Sequence, residues 1–439
     1  KTASADRTDL LDAASTHLVP VLGLYPDYEN HILLELLDES GTAFKTQELT
    51  LQTEKLPEYL RTAVKTGSYT AASSMDLMLI SGLGTPYLYA FDEFGDIRWY
   101  CTLEREYYGG FPLENGHILT ESPDVLFPNA SMPNSPEFVE IDWLGRAYRL
   151  YSFPEGVHHE IKEKTPDGNL LIASSSNDGY EQNLIQEIDR ETGAVVKSLC
   201  LNDVFEGLEY LNRDDWCHIN TLSYDEKTDS ILVSCRNLHS VIRINWSTDE
   251  IQWILGDPLL WEGTSWESKV LAPASDFSWH YQQHSAYELS QDLDGDPDTV
   301  EIMLFDNHNA QYQMLDDYSY TGSSYVKIYS VDPAAMTVTL LSNFETDYSS
   351  ITSNAFADSS LERIFSVNAY ITGKSSYKGR VYEFDRQTGT QINTWMISHK
   401  FYRGYPVSFS ASECAEVFTL PDNYRPGTLR QPVEITEPV

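Results

Sequence analysis

"YAFDEFGDIRWY", residues 89–100, runs apolar residues into an acidic, glycine-bearing turn and back into apolar residues. Short β-prone runs on either side of such a turn read as a hairpin. The phrase returns as "VEIDWLGRAYRLY" (139–151), "QEIDRETGAVVKSL" (186–199), "IRINWSTDEIQWIL" (242–255), "YSVDPAAMTVTLL" (329–341) and "YEFDRQTGTQINTW" (382–395). Its landmarks, Asp92, Asp142, Asp189, Asn245, Asp332 and Asp385, are separated by 50, 47, 56, 87 and 53 residues. A period of about fifty residues in an all-β chain marks a β-propeller with one four-stranded blade per repeat. Six landmarks predict six blades. The gap of 87 must hold an insertion, and residues 256–283 fit it.

Outward from these phrases, the predicted propeller runs over residues 75–439. Residues 1–74 read as a small N-terminal domain, β-rich with short helices. "TDLLDAAS" and "EKLPEYLRTAVKTG" suggest the helices, and "HILLELLDESGTAFKTQELTLQT" between them suggests strands. The chain has 439 residues and 41% hydrophobic content, enough for a large packed core. No apolar run is long enough to cross a bilayer as a helix. The formal net charge is −38, from 67 acids against 29 bases. Phosphate backbones require basic surface, so nucleic acid is excluded as a partner. A sulfated or otherwise anionic substrate would require local positive charge in its site.

Five cysteines (Cys101, Cys200, Cys217, Cys235 and Cys414) make an odd set with no zinc-like spacing. Cys217 and Cys235 each precede a candidate site residue. They are either a bracing disulfide or two inert buried thiols.

Upstream of the landmark hairpins, four strand pairs align. They begin at His158–His159 in "VHHEIKEKTPDGNLLIASSS", His218 in "CHINTLSYDEKTDSILVSCR", His284 in "QHSAYELSQDLDGDPDTVEIMLFDN" and Thr352 in "ITSNAFADSSLERIFSV". The innermost strand of every blade lines the propeller channel, so equivalent positions converge on the axis. Three consecutive blades thus present a histidine at one slot. Asn220 follows His218 on the same strand face, and Arg236 lies on the returning strand of that hairpin. Imidazoles, an amide and a guanidinium suit an anion with several oxygens, such as sulfate. A neutral imidazole serves as nucleophile or as acid/base. Too few carboxylates share these slots for a two-carboxylate glycosidase or a hydrolytic metal site.

Two other motifs carry less. "DLDGDPD" (292–298), with Glu301 beyond it, has the look of a calcium loop, but Pro297 breaks the spacing and the repeat makes it a plain hairpin turn. "TGKSS" (372–376) lacks the upstream glycine of a P-loop, where Asn368 stands.

In this order, "HHEI…PDGNLL", "HIN" with "SCR", "QHSA" and "FDN" resemble the bacterial arylsulfate sulfotransferases that do not use the nucleotide donor PAPS. The resemblance covers most of the chain from about residue 75. It implies a six-bladed β-propeller with a small N-terminal β-sandwich-like domain, no cofactor, and ping-pong transfer of a sulfuryl group from a phenolic sulfate ester to another phenol through a sulfated histidine. Carried over by motif, His284 is the nucleophile, His159 the acid/base, and His218, Asn220 and Arg236 hold the sulfuryl oxygens. His159 is taken over His158 because an acidic residue, Glu160, follows it. Thr352 lies near a polar sulfate contact. Trp279 and Tyr281, on the insertion, are aromatic candidates for a phenol pocket and equally candidates for core. Export to the periplasm or cell surface and homodimer formation are further expectations. This chain departs from the family pattern in its shorter N-terminal region, in "HNAQYQ" after "FDN", and in lacking a clear match to the paired cysteines of some members. A non-catalytic binding propeller and an aryl sulfate hydrolase are the alternative readings.

Overall fold

A computed structural model describes residues 21–83, 85–106, 109–121, 134–176, 180–208, 214–274, 277–309 and 322–409. Six sheets of four or five strands form a six-bladed propeller. Blade 4 shows the plan: Ile219–Asp225, Ser230–Cys235, Ser240–Asn245 and Ile251–Gly256 pair antiparallel in chain order from axis to rim. Blades 2, 3 and 5 repeat it.

All six landmark residues sit where the third strand turns into the fourth, and they share one reason for being Asp or Asn. Each uses its side-chain oxygen to accept backbone N–H groups of the turn that follows. Asp92 accepts from Phe94 and Asp96 at 3.0 Å each, Asp142 from Leu144 at 3.0 Å, Asp189 from Thr192 at 2.7 Å. Asn245 accepts from Thr248 at 2.9 Å, Asp332 from Ala335 at 2.8 Å, and Asp385 from Thr388 at 2.9 Å. Gly145, at φ 75°, supplies the left-handed residue that the blade 2 turn requires.

Both ends of the described chain close the ring. Gly404–Val407 pairs with Leu77–Ile80 as the innermost strand of blade 1, and Val64–Tyr69 pairs with Gln391–Ile397 as the outermost strand of blade 6. The stretch 54–67 was expected to be helical. It forms a 3-10 turn at Glu58–Thr62 and then this strand. The sheet edge offered by blade 6 overrides a weak helical pattern, and Val64, Thr66 and Ser68 alternate as a strand requires. The propeller therefore draws on residues that the sequence pattern gave to the N-terminal region. "TDLLDAAS" lies outside the described residues. Glu29–Leu37 and Ala43–Gln52 form the expected strands as an antiparallel hairpin.

Apolar side chains fill the spaces between neighbouring blades. Leu232, Val241, Trp253, Leu255, Ile302, Leu304, Tyr329 and Val331 pack blade 4 on blade 5. Met303, Phe305, Ile328, Phe344, Ile364 and Phe384 pack blade 5 on blade 6. The insertion crosses the rim with two 3-10 turns, Pro258–Leu260 and Glu267–Lys269, and a short strand, Ala272–Pro273, beside Thr337–Asp347. Cys101, Cys217 and Cys235 are buried and Cys200 is half-buried. No disulfide joins Cys217 to Cys235: the strand partner of Cys235 is Ile219, and the Cys217 thiol donates to the Gln182 carbonyl at 3.3 Å. Cys414 lies outside the described residues.

Candidate active site

The inner strands of blades 3 to 6 begin at Ile161, Ile219, His284 and Asn354, all at one face of the ring. The backbone there is strained. His159 (φ 58°), Gln182 (55°), His218 (55°), Gln282 (55°), Ser285 (57°) and Thr352 (59°) all adopt the left-handed conformation. Each such residue costs about 1–3 kcal/mol, which the surrounding packing must offset. A cluster of such residues at one spot is typical of a functional site.

The side chains explain the strain. His284 Nδ1 is 2.6 Å from Asn307 Oδ1. Asn307 donates through Nδ2 to the carbonyls of Ser349 (2.8 Å) and Thr352 (3.1 Å), so its oxygen must be the atom facing the imidazole. His284 Nδ1 therefore carries the proton, and Nε2 carries the lone pair. Asn307 belongs to "FDN", a motif visible in the sequence, yet only the structure shows that it sets the tautomer.

His218 meets the Asp215 carboxylate through Nδ1 at 2.8 Å, which places its proton there. Its Nε2 lies 3.1 Å from His159 Nε2, and Gln182 Oε1 lies 3.2 Å from that same His159 nitrogen. Both neighbours are acceptors, so His159 Nε2 carries a proton. His159 Nδ1 then accepts from the Tyr402 hydroxyl at 2.8 Å. The His159 and His284 ring centroids stand 6.4 Å apart. His159 thus carries an Nε2–H, held by His218 and Gln182, and His284 an Nε2 lone pair, on neighbouring rings. His158 turns away and donates through Nε2 to the Ser174 carbonyl at 2.8 Å.

Two buried arginines, Arg236 and Arg403, stand here. Arg236 donates to the amide oxygens of Gln282 (3.0 Å) and Asn237 (3.3 Å). Arg403 pairs with Glu160 at 2.8 Å and donates to the Asn220 carbonyl and, at 3.1 Å, to Thr221 Oγ1. Burial first, then Arg236 and Arg403, hold His284 well below the usual histidine range. Burial, the neighbouring imidazoles and Arg403 do the same to His159. Burial lowers His218 too, opposed by Asp215. All three are neutral at pH 7.

The other sequence candidates are placed differently. Asn220 donates to the Gln283 carbonyl at 2.7 Å, so its amide braces the backbone just before His284. The Thr352 hydroxyl donates to the Ile351 carbonyl at 2.6 Å, and the Thr352 carbonyl helps to hold Asn307. Trp279 packs beside Phe277 against the core between blades 4 and 5. Tyr281 donates to Asp257 at 2.9 Å, with its ring at 5.6 Å from His239 and 5.4 Å from His308. In the "DLDGDPD" turn, Asp292, Asp294 and Glu301 bring oxygens within 4.8 Å of one another. Those carboxylates accept from the turn itself: Asp292 from Gly295 N at 2.6 Å, and Glu301 from Leu293 N at 2.9 Å. Asp215, Gln182, Tyr402 and Arg403 had no role in the sequence reading. They reach the site from loops, two of them from the loop just before the closing strand, where no repeat marks them.

Residues 62–403 match the family model described as arylsulfotransferase (ASST), and residues 5–54 match the arylsulfotransferase Ig-like domain. Arylsulfate sulfotransferase AssT of Escherichia coli O6:H1 (strain CFT073) is 23% identical over 297 residues, 52% of this chain and 47% of that protein. The chain thus spans about half the length of this curated relative. A protein of unknown function from Bacteroides caccae superposes with a TM-score of 0.44 at 15% identity, over 76% of this chain and 99% of that one. The periplasmic gluconolactonase PpgL of Pseudomonas aeruginosa does so at 0.39 and 10%, over 77% and 100%. Among the described residues no helix is long and apolar enough to cross a membrane.

Proposed function

Because the chain belongs to the arylsulfotransferase family, we propose that it moves a sulfuryl group from a phenolic sulfate ester to another phenol, without PAPS or any other cofactor, in two displacements through His284. The observation that carries this reading is the fixed tautomer of His284. Asn307 holds its Nδ1–H and leaves Nε2 with the lone pair, on a ring whose centroid is 6.4 Å from that of His159.

In the first displacement, His284 Nε2 attacks sulfur in line and an N–S bond forms. The S–O bond to the phenol breaks, and the departing oxygen takes the proton from His159 Nε2 while Nδ1 of that ring takes the Tyr402 hydroxyl proton, so His159 stays neutral. A phenol titrates near pH 10, so protonation on departure matters; acid catalysis of this kind contributes roughly 10²–10⁴ in rate. Arg236 supplies positive charge beside the sulfuryl oxygens, where a preset donor is worth roughly 10²–10³; His218, neutral and with its Nε2 lone pair toward His159, holds that imidazole in place. In the second displacement, the acceptor phenol returns a proton to His159 Nε2, Nδ1 hands its proton back to Tyr402, and the phenol oxygen attacks sulfur as the N–S bond breaks and frees His284. The relative's name, arylsulfate sulfotransferase, supports the same donor class. Export to the periplasm or cell surface and homodimer formation rest on the family resemblance alone and belong to the proposal.

The test uses 4-nitrophenyl sulfate with and without phenol, in EDTA, followed by mass spectrometry of the modified peptide. Phenol-dependent release of nitrophenol, with a sulfuryl group on the peptide holding His284, is expected. Release independent of phenol would make the protein a hydrolase. Saturable binding without release would make it a binding propeller.

A further inference from the structure

We propose that Arg403 is a positioning residue for this transfer: its fork ties the backbone beside His218 to Glu160, the residue after His159, and so fixes how the two imidazoles face one another. The proposal rests on the transfer chemistry set out above.

Arg403 is 3% exposed and lies just before the strand that closes blade 1. Its Nη1 donates to Glu160 of blade 3 at 2.8 Å, while Nη2 donates to the Asn220 carbonyl and to Thr221 Oγ1 of blade 4. Thr221 Oγ1 also accepts from Ser285 N at 2.8 Å, and Ser285 follows His284. One guanidinium therefore reaches the chain next to all three imidazoles. The preceding residue, Tyr402, holds His159 directly. A buried ion pair alone says little about stability or purpose. Here one cation makes directed bonds to two different blades, which the planar guanidinium fork achieves and a lysine ammonium does not match. The charge of Arg403 also supports the proton states of the site. His159 faces His158, His218, His284 and Arg403; His284 faces Arg236, Arg403 and His218; Glu160, Tyr402 and Tyr405 face Arg403.

Arg403→Lys keeps a positive partner for buried Glu160 and loses the bonds to Asn220 and Thr221. We expect turnover of 4-nitrophenyl sulfate to fall by about 10²-fold through misplacement of the reacting groups. The donor KM should stay within about twofold and the melting temperature near that of the parent, a split that a purely structural role would not give. If Arg403→Lys does not fold, Glu160→Gln with Arg403→Met replaces the pair by uncharged groups of similar size, with the same split expected. Turnover within about twofold of the parent in a folded variant would overturn the proposal. If the parent itself turns over no aryl sulfate, the functional reading fails, and a crystal structure of the folded variant decides the tie separately. Separation of the His159 and His218 Nε2 atoms beyond hydrogen-bond reach would support it; a contact unchanged from 3.1 Å would overturn it.

Discussion

At the rim of the propeller, six turns answer one requirement in one way: an Asp or Asn oxygen satisfies the backbone N–H groups of a short hairpin. At the axis, the strand starts of blades 3 to 6 share a place in the fold and little else. They present His159, His218, His284 and Thr352, several on left-handed backbone, and each makes different bonds. The rim settles local turn chemistry with local residues. The axis keeps strained backbone and buried imidazoles that only contacts between blades sustain. In blades 3 to 6, repeated turn chemistry and site chemistry thus lie at different places along the blade.

The sharpest way to break this comparison is His284→Ala. Turnover and the nitrophenol burst should both fall by at least about 10⁴-fold, as for loss of other covalent nucleophiles, with the melting temperature little changed; a surviving burst would move the nucleophile elsewhere. Next comes Asn307→Ala, which frees the His284 tautomer. Turnover should fall by about 10²–10⁴-fold, comparable to losing the group that orients a catalytic imidazole; equal rates in variant and parent would remove Asn307 from that role.

The axis should also respond to acid before the rim does. Buried His158 is held at about 3, and His159, His218 and His284 are lowered as well. Folded values lie below the unfolded value of about 6.5, so the unfolded state binds more protons, and stability falls as pH drops below that point. Each fully suppressed imidazole costs about 1.4 kcal/mol per pH unit there. Urea unfolding at pH 7 and at pH 5.5 should show a loss of several kcal/mol; identical midpoints would mean that these imidazoles are not held neutral. The smallest effect on activity belongs to the rim. Asp142→Ala should cost about 1–3 kcal/mol and leave kcat unchanged, because Asp142 bonds only within its own turn and to Arg146 and Tyr148 among the contacts seen.

The rim was the legible part of the sequence. Asp92 to Asp385 recur because identical turns demand identical chemistry, and that recurrence carried the blade count. His159, His218 and His284 were legible for the same reason, since they stand at equivalent strand starts. Asp215 was not, because it lies in a connecting loop with no repeat to mark it. Tyr402 and Arg403 were not, because only ring closure brings them beside residues 159 and 160. Trp279 was left open for a different reason: an aromatic on the insertion looks the same in sequence whether it faces substrate or packs in the core, and it packs against the core between blades 4 and 5. Val64–Tyr69 was misread because its strand pairing is with Gln391–Ile397, far along the chain.

The closing strand also sets the order of events during synthesis. Gly404 pairs with Ile80, so blade 1 stays incomplete until nearly all the described chain has left the ribosome. Middle blades can form as they emerge, while such long-range pairing comes late and slowly. Tyr402 and Arg403 arrive with that same strand. A nascent chain interrupted before this segment would therefore carry the three imidazoles without the Tyr402 hydroxyl that His159 Nδ1 meets and without Arg403, and would leave an open sheet edge exposed.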